Sequence, residues 1–303
     1  MNLGYACINM ELNARKGDDR VTTNRTMIKR TFQEKGVDYT SELVLQNVAD
    51  LYSIIEWNEQ NNIKFFRLSS EMFPWASEYY QDWDNFPNIE KIKSILQDCG
   101  NLATKYGHRI TSHPGPFNVL VSPNENVVQN TITDLTIHAD IFDFMGLSRT
   151  PYNKLNIHCN GVYGDKESAM DRFCTNFELL PESVKTRLTV ENDDKATMYS
   201  VKDLYEGIHK RIGIPIVFDY HHYKFNTGGQ TEQEALELAL STWGDIKPVV
   251  HYSESKAEHE LNESIKPQAH SDLIKELPNT YGNDVDIMVE AKHKELAIEG
   301  FIK

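Results

Sequence analysis

Short apolar runs bounded by turn residues recur along the whole chain, at residues 3–8, 64–69, 109–113, 155–158, 187–191, 215–219, 248–251 and 286–290. Their lengths and boundaries predict eight buried strands. Between them apolar positions return at helical spacing: Leu43, Val44, Val48, Leu51, Ile54 and Ile55, then Ile89, Ile92, Ile95 and Leu96, then Val127, Val128, Ile132 and Leu135. Each set paints one face of a helix. Ser200 ahead of 201–211, with Gly213 and Pro215 behind it, supplies a cap and a stop, and 231–242 reads as a further helix opened by Glu232 and Glu234. Eight strand–helix units predict a closed (β/α)8 TIM barrel, one domain over residues 1–303. A doubly wound open sheet is the alternative, but Tyr5-Ala6-Cys7-Ile8-Asn9 after the first strand lacks the glycine-rich loop that marks it.

The polar residues at the strand ends change the picture most. Strands three to eight end in His113, His158, Glu191, Asp219, His251 and Glu290. In a barrel these ends share one face, where active sites lie. Three carboxylates crowded together repel one another unless cations bridge them, so the cluster calls for divalent metal. In Asp219-Tyr220-His221-His222, strand alternation puts Asp219 and His221 on one side, while a turn at the strand end would return His222 toward a second metal position. Mixed nitrogen and oxygen donors suit Mn²⁺ or Zn²⁺. Cys159 alternates away from His158 and reads as a packing residue. The four cysteines show no CxxC spacing and are expected to be reduced.

Composition adds limits. With 40% hydrophobic residues a sizeable core is assured, and no run of 18 apolar residues suggests a membrane span. The 1–10 stretch is too short and wrongly flanked for a signal peptide, so an intracellular location, cytoplasmic or nucleoid-associated, is expected, with no membrane partner. The chain carries a formal charge of −14, which argues against indiscriminate coating of nucleic acid. The charge is unevenly spread: residues 15–35 hold Arg15, Lys16, Arg20, Arg25, Lys29, Arg30 and Lys35 against Asp18, Asp19 and Glu34, a local +4. Because this segment follows the first strand, the barrel places it on the face that carries the metal ligands.

The residues also resemble a known family, the UV damage endonucleases. The similarity is carried by Arg67-Leu68-Ser69-Ser70, His113-Pro114-Gly115, His158 with Gly161-Val162-Tyr163-Gly164-Asp165-Lys166, Val190-Glu191-Asn192-Asp193-Asp194, Phe218-Asp219-Tyr220-His221-His222, His251-Tyr252-Ser253, His270-Ser271-Asp272 and Glu290-Ala291-Lys292-His293-Lys294. The resemblance implies a barrel with two or three divalent ions per chain, Mn²⁺ expected and Zn²⁺ or Mg²⁺ as alternatives. It implies one metal on His113, His158 and Glu191, a second on Glu191, Asp219, His251 and Glu290, and a third on His222 and His270. Glu191, His251 and Glu290 are the expected catalytic residues. His270 itself lies in a polar stretch read as preceding a helix. Tyr5 and Asn9 match positions close to damaged bases. The chain departs from the family at three places: Pro116-Phe117 stand where a Gln–aromatic pair commonly probes the duplex, Val249 where many members have a lysine near the metals, and Glu78 where a histidine often follows the serine.

The activity implied is hydrolysis of DNA 5′ to ultraviolet photoproducts, leaving 3′-hydroxyl and 5′-phosphate, by a monomer acting on damaged duplex. Expected phosphate contacts are Arg15, Lys16, Arg20, Arg25, Lys166, Lys292 and Lys294, with Phe117 as an apolar wedge and Trp75 as a further aromatic candidate. The competing functions are an apurinic-site endonuclease, a metal-dependent sugar isomerase barrel, and a damage binder whose metals are structural.

Overall fold

Eight parallel strands pair in sequence order and close on themselves in the computed structural model, which describes residues 1–302. Lys303, the last residue of the expected domain, lies outside the described residues. The strands are β1 (Leu3–Ala6), β2 (Phe65–Leu68), β3 (Arg109–Ser112), β4 (Leu155–His158), β5 (Leu188–Glu191), β6 (Ile216–Asp219), β7 (Val249–Tyr252) and β8 (Asp286–Val289). The outer helices include α1 (Lys29–Gln60), α2 (Ile89–Lys105), α3 (Glu125–Phe144), α4 (Lys166–Phe177), α5 (Val201–Leu204) and α6 (Glu232–Leu240). The barrel expected from the apolar pattern is therefore the fold. Among the described residues no helix is long and apolar enough to cross a membrane.

Alternation along the strands sorts side chains into two apolar clusters. Tyr5, Phe66, Leu68, Ile110, Ile157, Val190, Phe218 and Val250 point outward into the large core shared with the helices. Ala6, Phe65, Val217, Val249 and Met288 point inward, joined by Trp243. The inward set is partly polar. Arg109 and Asp286, both fully buried, pair at 3.2 Å across the barrel floor, and Arg109 also donates to the carbonyls of Tyr152 and Lys247 at 2.9 and 2.8 Å. A buried charge needs this degree of pairing to persist.

Two elements differ from expectation. The first strand stops at Ala6, where Cys7 takes a left-handed φ of 70°, and Asn9 then caps a short helix by accepting from Leu12 N at 2.9 Å. The helix expected over 201–211 is α5 continued by a π turn (Tyr205–His209) and a final turn (Lys210–Ile212).

Candidate metal centre

The inward parity that fills the barrel also delivers the candidate ligands. His158 is the register partner of Glu191, and Asp219 that of His251, so neighbouring strands bring these pairs side by side. Glu191 lies at the centre, 1% exposed. His113 Nε2 is 3.4 Å and His251 Nδ1 3.0 Å from its Oε2, while His158 Nε2 and His222 Nδ1 are 3.7 and 3.4 Å from its Oε1. Two three-residue groups result, His113–His158–Glu191 and Glu191–Asp219–His251, each with donor atoms within 4.8 Å of one another and with Glu191 common to both. Glu290 joins the second, its Oε1 3.3 Å from His251 Nδ1.

His222 arrives by the expected turn. Asp219 caps Tyr220–Tyr223, its Oδ1 accepting from His222 N at 2.7 Å, and one helical turn swings His222 back over the strand end. His270 reaches the mouth differently: it forms an antiparallel bridge with Ser255 rather than preceding a helix, and its Nδ1 is 4.0 Å from Glu290 Oε2. A common orientation unites several rings. The Nδ1 atoms of His113, His222 and His270 contact the carbonyls of Pro114, Asn192 and Glu290 at 3.2, 2.9 and 2.9 Å. A carbonyl can only accept, so each of these rings carries a proton on Nδ1, which leaves Nε2 as the atom that can ligate once it is free of a proton. This outer hydrogen bond is the habit of metal-ligating histidines.

The residues fit divalent ions by their unmet needs. Asp219 Oδ2 and His251 Nδ1 are buried without an aligned hydrogen-bond partner. Burial pushes the His113 imidazole down to about 4, keeping it in the neutral, ligating form. Burial works against charge on His222 as well, but Asp219 and Glu191 more than reverse it and raise that ring to about 9. Burial likewise disfavours a charged Glu191, yet His251, His158 and His113 hold its carboxyl well below the usual range. Such a group of carboxylates needs positive charge close by, and nitrogen and oxygen donors together suit Mn²⁺ or Zn²⁺.

Sequence reasoning missed three inward side chains here. Lys154 and Asn156 alternate with His158 along β4; Lys154 Nζ sits 3.1 Å from His251 Nε2, and burial lowers the amine to about 7. Asn156 donates to Glu191 Oε2 and accepts from Thr189 Oγ1 at 2.7 Å. Arg67 pairs with Glu290 through Nη1. Their signal was the two-residue period set by His158 and by the buried Phe65. Val249 packs inside the barrel, and the amine near His251 comes from Lys154.

The expected DNA contacts divide. Phe117 stands 87% exposed at the tip of the loop after β3. Arg15, Lys16, Arg20 and Lys292 are exposed, and Lys294 half-buried. Glu11 N donates to Glu295 Oε1 at 2.8 Å, which ties the loop after β1 to the loop after β8. Arg25 is engaged internally, 2.6 Å from Asp50 Oδ2, and Lys166 contacts Asp203 at 3.0 Å and the Met198 carbonyl at 2.5 Å. Tyr5 points outward from β1, fully buried, donating to Asn58 Oδ1 at 2.7 Å and accepting from Asn9 at 3.0 Å. The Tyr5 and Asn9 side chains are both buried in this pairing. Trp75 packs on Phe32 and donates to the Met27 carbonyl, holding a loop.

The family model of UV-endonuclease UvdE matches residues 1–303. The chain belongs to the UvdE family. A UV-damage endonuclease of Schizosaccharomyces pombe is 38% identical over 98% of this chain and 49% of its own length, so the chain spans about half of that relative. A UV DNA damage endonuclease of Bacillus cereus is 32% identical over 91% of this chain and 86% of its own. The crystal structure of SacUVDE, 32% identical, superposes with a TM-score of 0.84 over 100% of this chain and 96% of that one. A D-tagatose 3-epimerase-like protein at 15% identity and a TM-score of 0.54 shares the UvdE barrel fold alone.

Proposed function

We propose that this chain, as a single 1–303 domain, is a metal-dependent DNA repair endonuclease that nicks damaged duplex 5′ to ultraviolet photoproducts and leaves 3′-hydroxyl and 5′-phosphate ends. The observation that carries the reading is the convergence of inward strand-end ligands into two groups sharing Glu191, in a member of the UvdE family. His113, His158 and Glu191 would hold one ion, Glu191, Asp219, His251 and Glu290 a second, and His222 with His270 a third; Mn²⁺ fits this donor set. Bound divalent ions supply Lewis-acid chemistry, acidifying water and offsetting phosphate charge.

The chain's own residues do the rest. Glu191 bridges the two groups, so its fixed carboxylate sets their separation. Asn156 and Lys154 hold Glu191 and His251 in register with one another. Phe117 would enter the helical stack where a lesion has weakened it, because unstacking costs least there. Exposed Arg15, Lys16, Arg20 and Lys292 would take backbone phosphates along the edge formed by the first and last loops. A sugar isomerase barrel would need none of these basic residues. The test is cleavage of duplexes carrying one defined dimer, photoproduct or abasic site, after chelation and with single metals restored. Cutting 5′ to the dimer that depends on restored metal is expected; metal-independent cutting, or none at any lesion, refutes the reading.

A further inference from the structure

Resting on the nuclease reading, we infer that Arg67 is the clamp for the phosphate that is cut. Arg67 shares the inward parity of Phe65 on β2, and its side chain, 14% exposed, reaches the ligand mouth where Nη1 pairs with Glu290. That pairing uses one corner of the guanidinium. Nε is buried with no hydrogen-bond partner, and Nη2 likewise has none among the described residues. The unpaired Nε–Nη2 edge presents two parallel N–H groups in the fork that matches two oxygens of a phosphate. A buried N–H without an acceptor is unfavourable, and Nε is covered as the side chain stands, so a shift of the guanidinium toward the mouth would give this edge to an acceptor that arrives from outside.

Three other cations named above are already committed. The Lys154 amine is spent on His251, Lys166 on Asp203 and the Met198 carbonyl, and Arg25 on Asp50. Holding Glu290 alone would need a single donor, which a lysine provides as well as an arginine. The planar fork is what distinguishes the two side chains. Arg67 touches the phosphate's non-bridging oxygens as charge builds on them and keeps its own proton throughout.

The experiment uses the metal-loaded enzyme and a single-dimer duplex whose scissile linkage is either a phosphodiester or a methylphosphonate, in which one charged oxygen is replaced by a neutral methyl group. Single-turnover rates, affinities and bound metal per chain are measured for wild type, Arg67→Gln and Arg67→Lys. Arg67→Gln should slow phosphodiester cleavage on the order of 10²–10³-fold, the cost of losing one preorganised donor to a developing oxyanion. Bound metal should stay unchanged, Arg67→Lys should recover only part of the rate, and the affinity penalty for the methylphosphonate should shrink in both variants. A lower metal content with the rate restored by excess metal would overturn the clamp and leave Arg67 acting only through Glu290. An undiminished methylphosphonate penalty, or full recovery by lysine, would also overturn it. If wild type fails to cut the phosphodiester duplex, the nuclease reading has failed first. Arg67→Lys keeps a cation beside Glu290, so the comparison survives if Arg67→Gln does not fold.

Discussion

Glu191 is the one side chain shared by both ligand groups, and exchanging it for its neutral isostere tests the centre most directly. Glu191→Gln should abolish cutting and lower bound metal while leaving affinity for damaged duplex largely intact; activity within about tenfold of wild type, which is 1.4 kcal/mol of barrier, would remove it from the chemistry. Phe117 tests a different function. Its exposure means that Phe117→Ala has little packing to lose, so the melting temperature should hold, whereas affinity for a lesion duplex should fall by about 1–3 kcal/mol and affinity for intact duplex much less. Equal losses on both duplexes would rule out a wedge. The grouping of polar strand ends was legible because each interrupts an apolar run at its terminus. Lys154, Asn156 and Arg67 were not, since each lies within or beside a strand where one polar residue reads as noise until the inward parity is known. The placement of Tyr5 was not legible either: β1 stops at Ala6, and Tyr5 falls on the outward parity beneath α1.

At the scale of elements, the eight strands were readable because their outward faces are largely apolar against the helices, with polar exceptions such as Ser112, which meets His138 at 3.2 Å. Helix continuity was less so. Gly36 sits within α1 at φ 66°, a kink that divides the segment, and the helix entered by Ser200 loosens into a π turn. The ribbon carrying His270 left no periodic signal, because it is held by isolated backbone bonds such as Lys256 N to Ala269 O at 2.7 Å and Ser271 N to Glu254 O at 2.8 Å. Helix packing offers a sharp prediction. A Cβ at Gly100 on α2 would lie 1.7 Å from the Met145 carbonyl oxygen at the end of α3, a backbone atom that cannot rotate aside. Gly100→Ala should cost about 1–3 kcal/mol by denaturant titration, while metal content of the folded fraction stays normal. A neutral substitution would mean that α2 and α3 can separate without loss.

For the whole molecule, a chain of −14 has to meet a polyanion through a local surface. The basic segment anticipated from the sequence divides into exposed charges, Arg15, Lys16 and Arg20, and Arg25, which is held against Asp50. Replacing Arg15, Lys16 and Arg20 by Ser should weaken binding to damaged and undamaged DNA alike and flatten the slope of log affinity against log salt. Arg25→Ser should lower stability instead, since it breaks a half-buried pair with Asp50, and should leave that slope unchanged. The Arg109–Asp286 floor has a kinetic consequence as well. Among the described residues this pair, with Phe65 and Trp243, fills the barrel floor, so a duplex lying across the mouth would cover the route by which ions enter and leave. Chelator inactivation should then be slowed by an uncleavable lesion duplex in proportion to the fraction of enzyme bound, and the lifetime of an active enzyme under metal scarcity would be set by how long it stays on DNA.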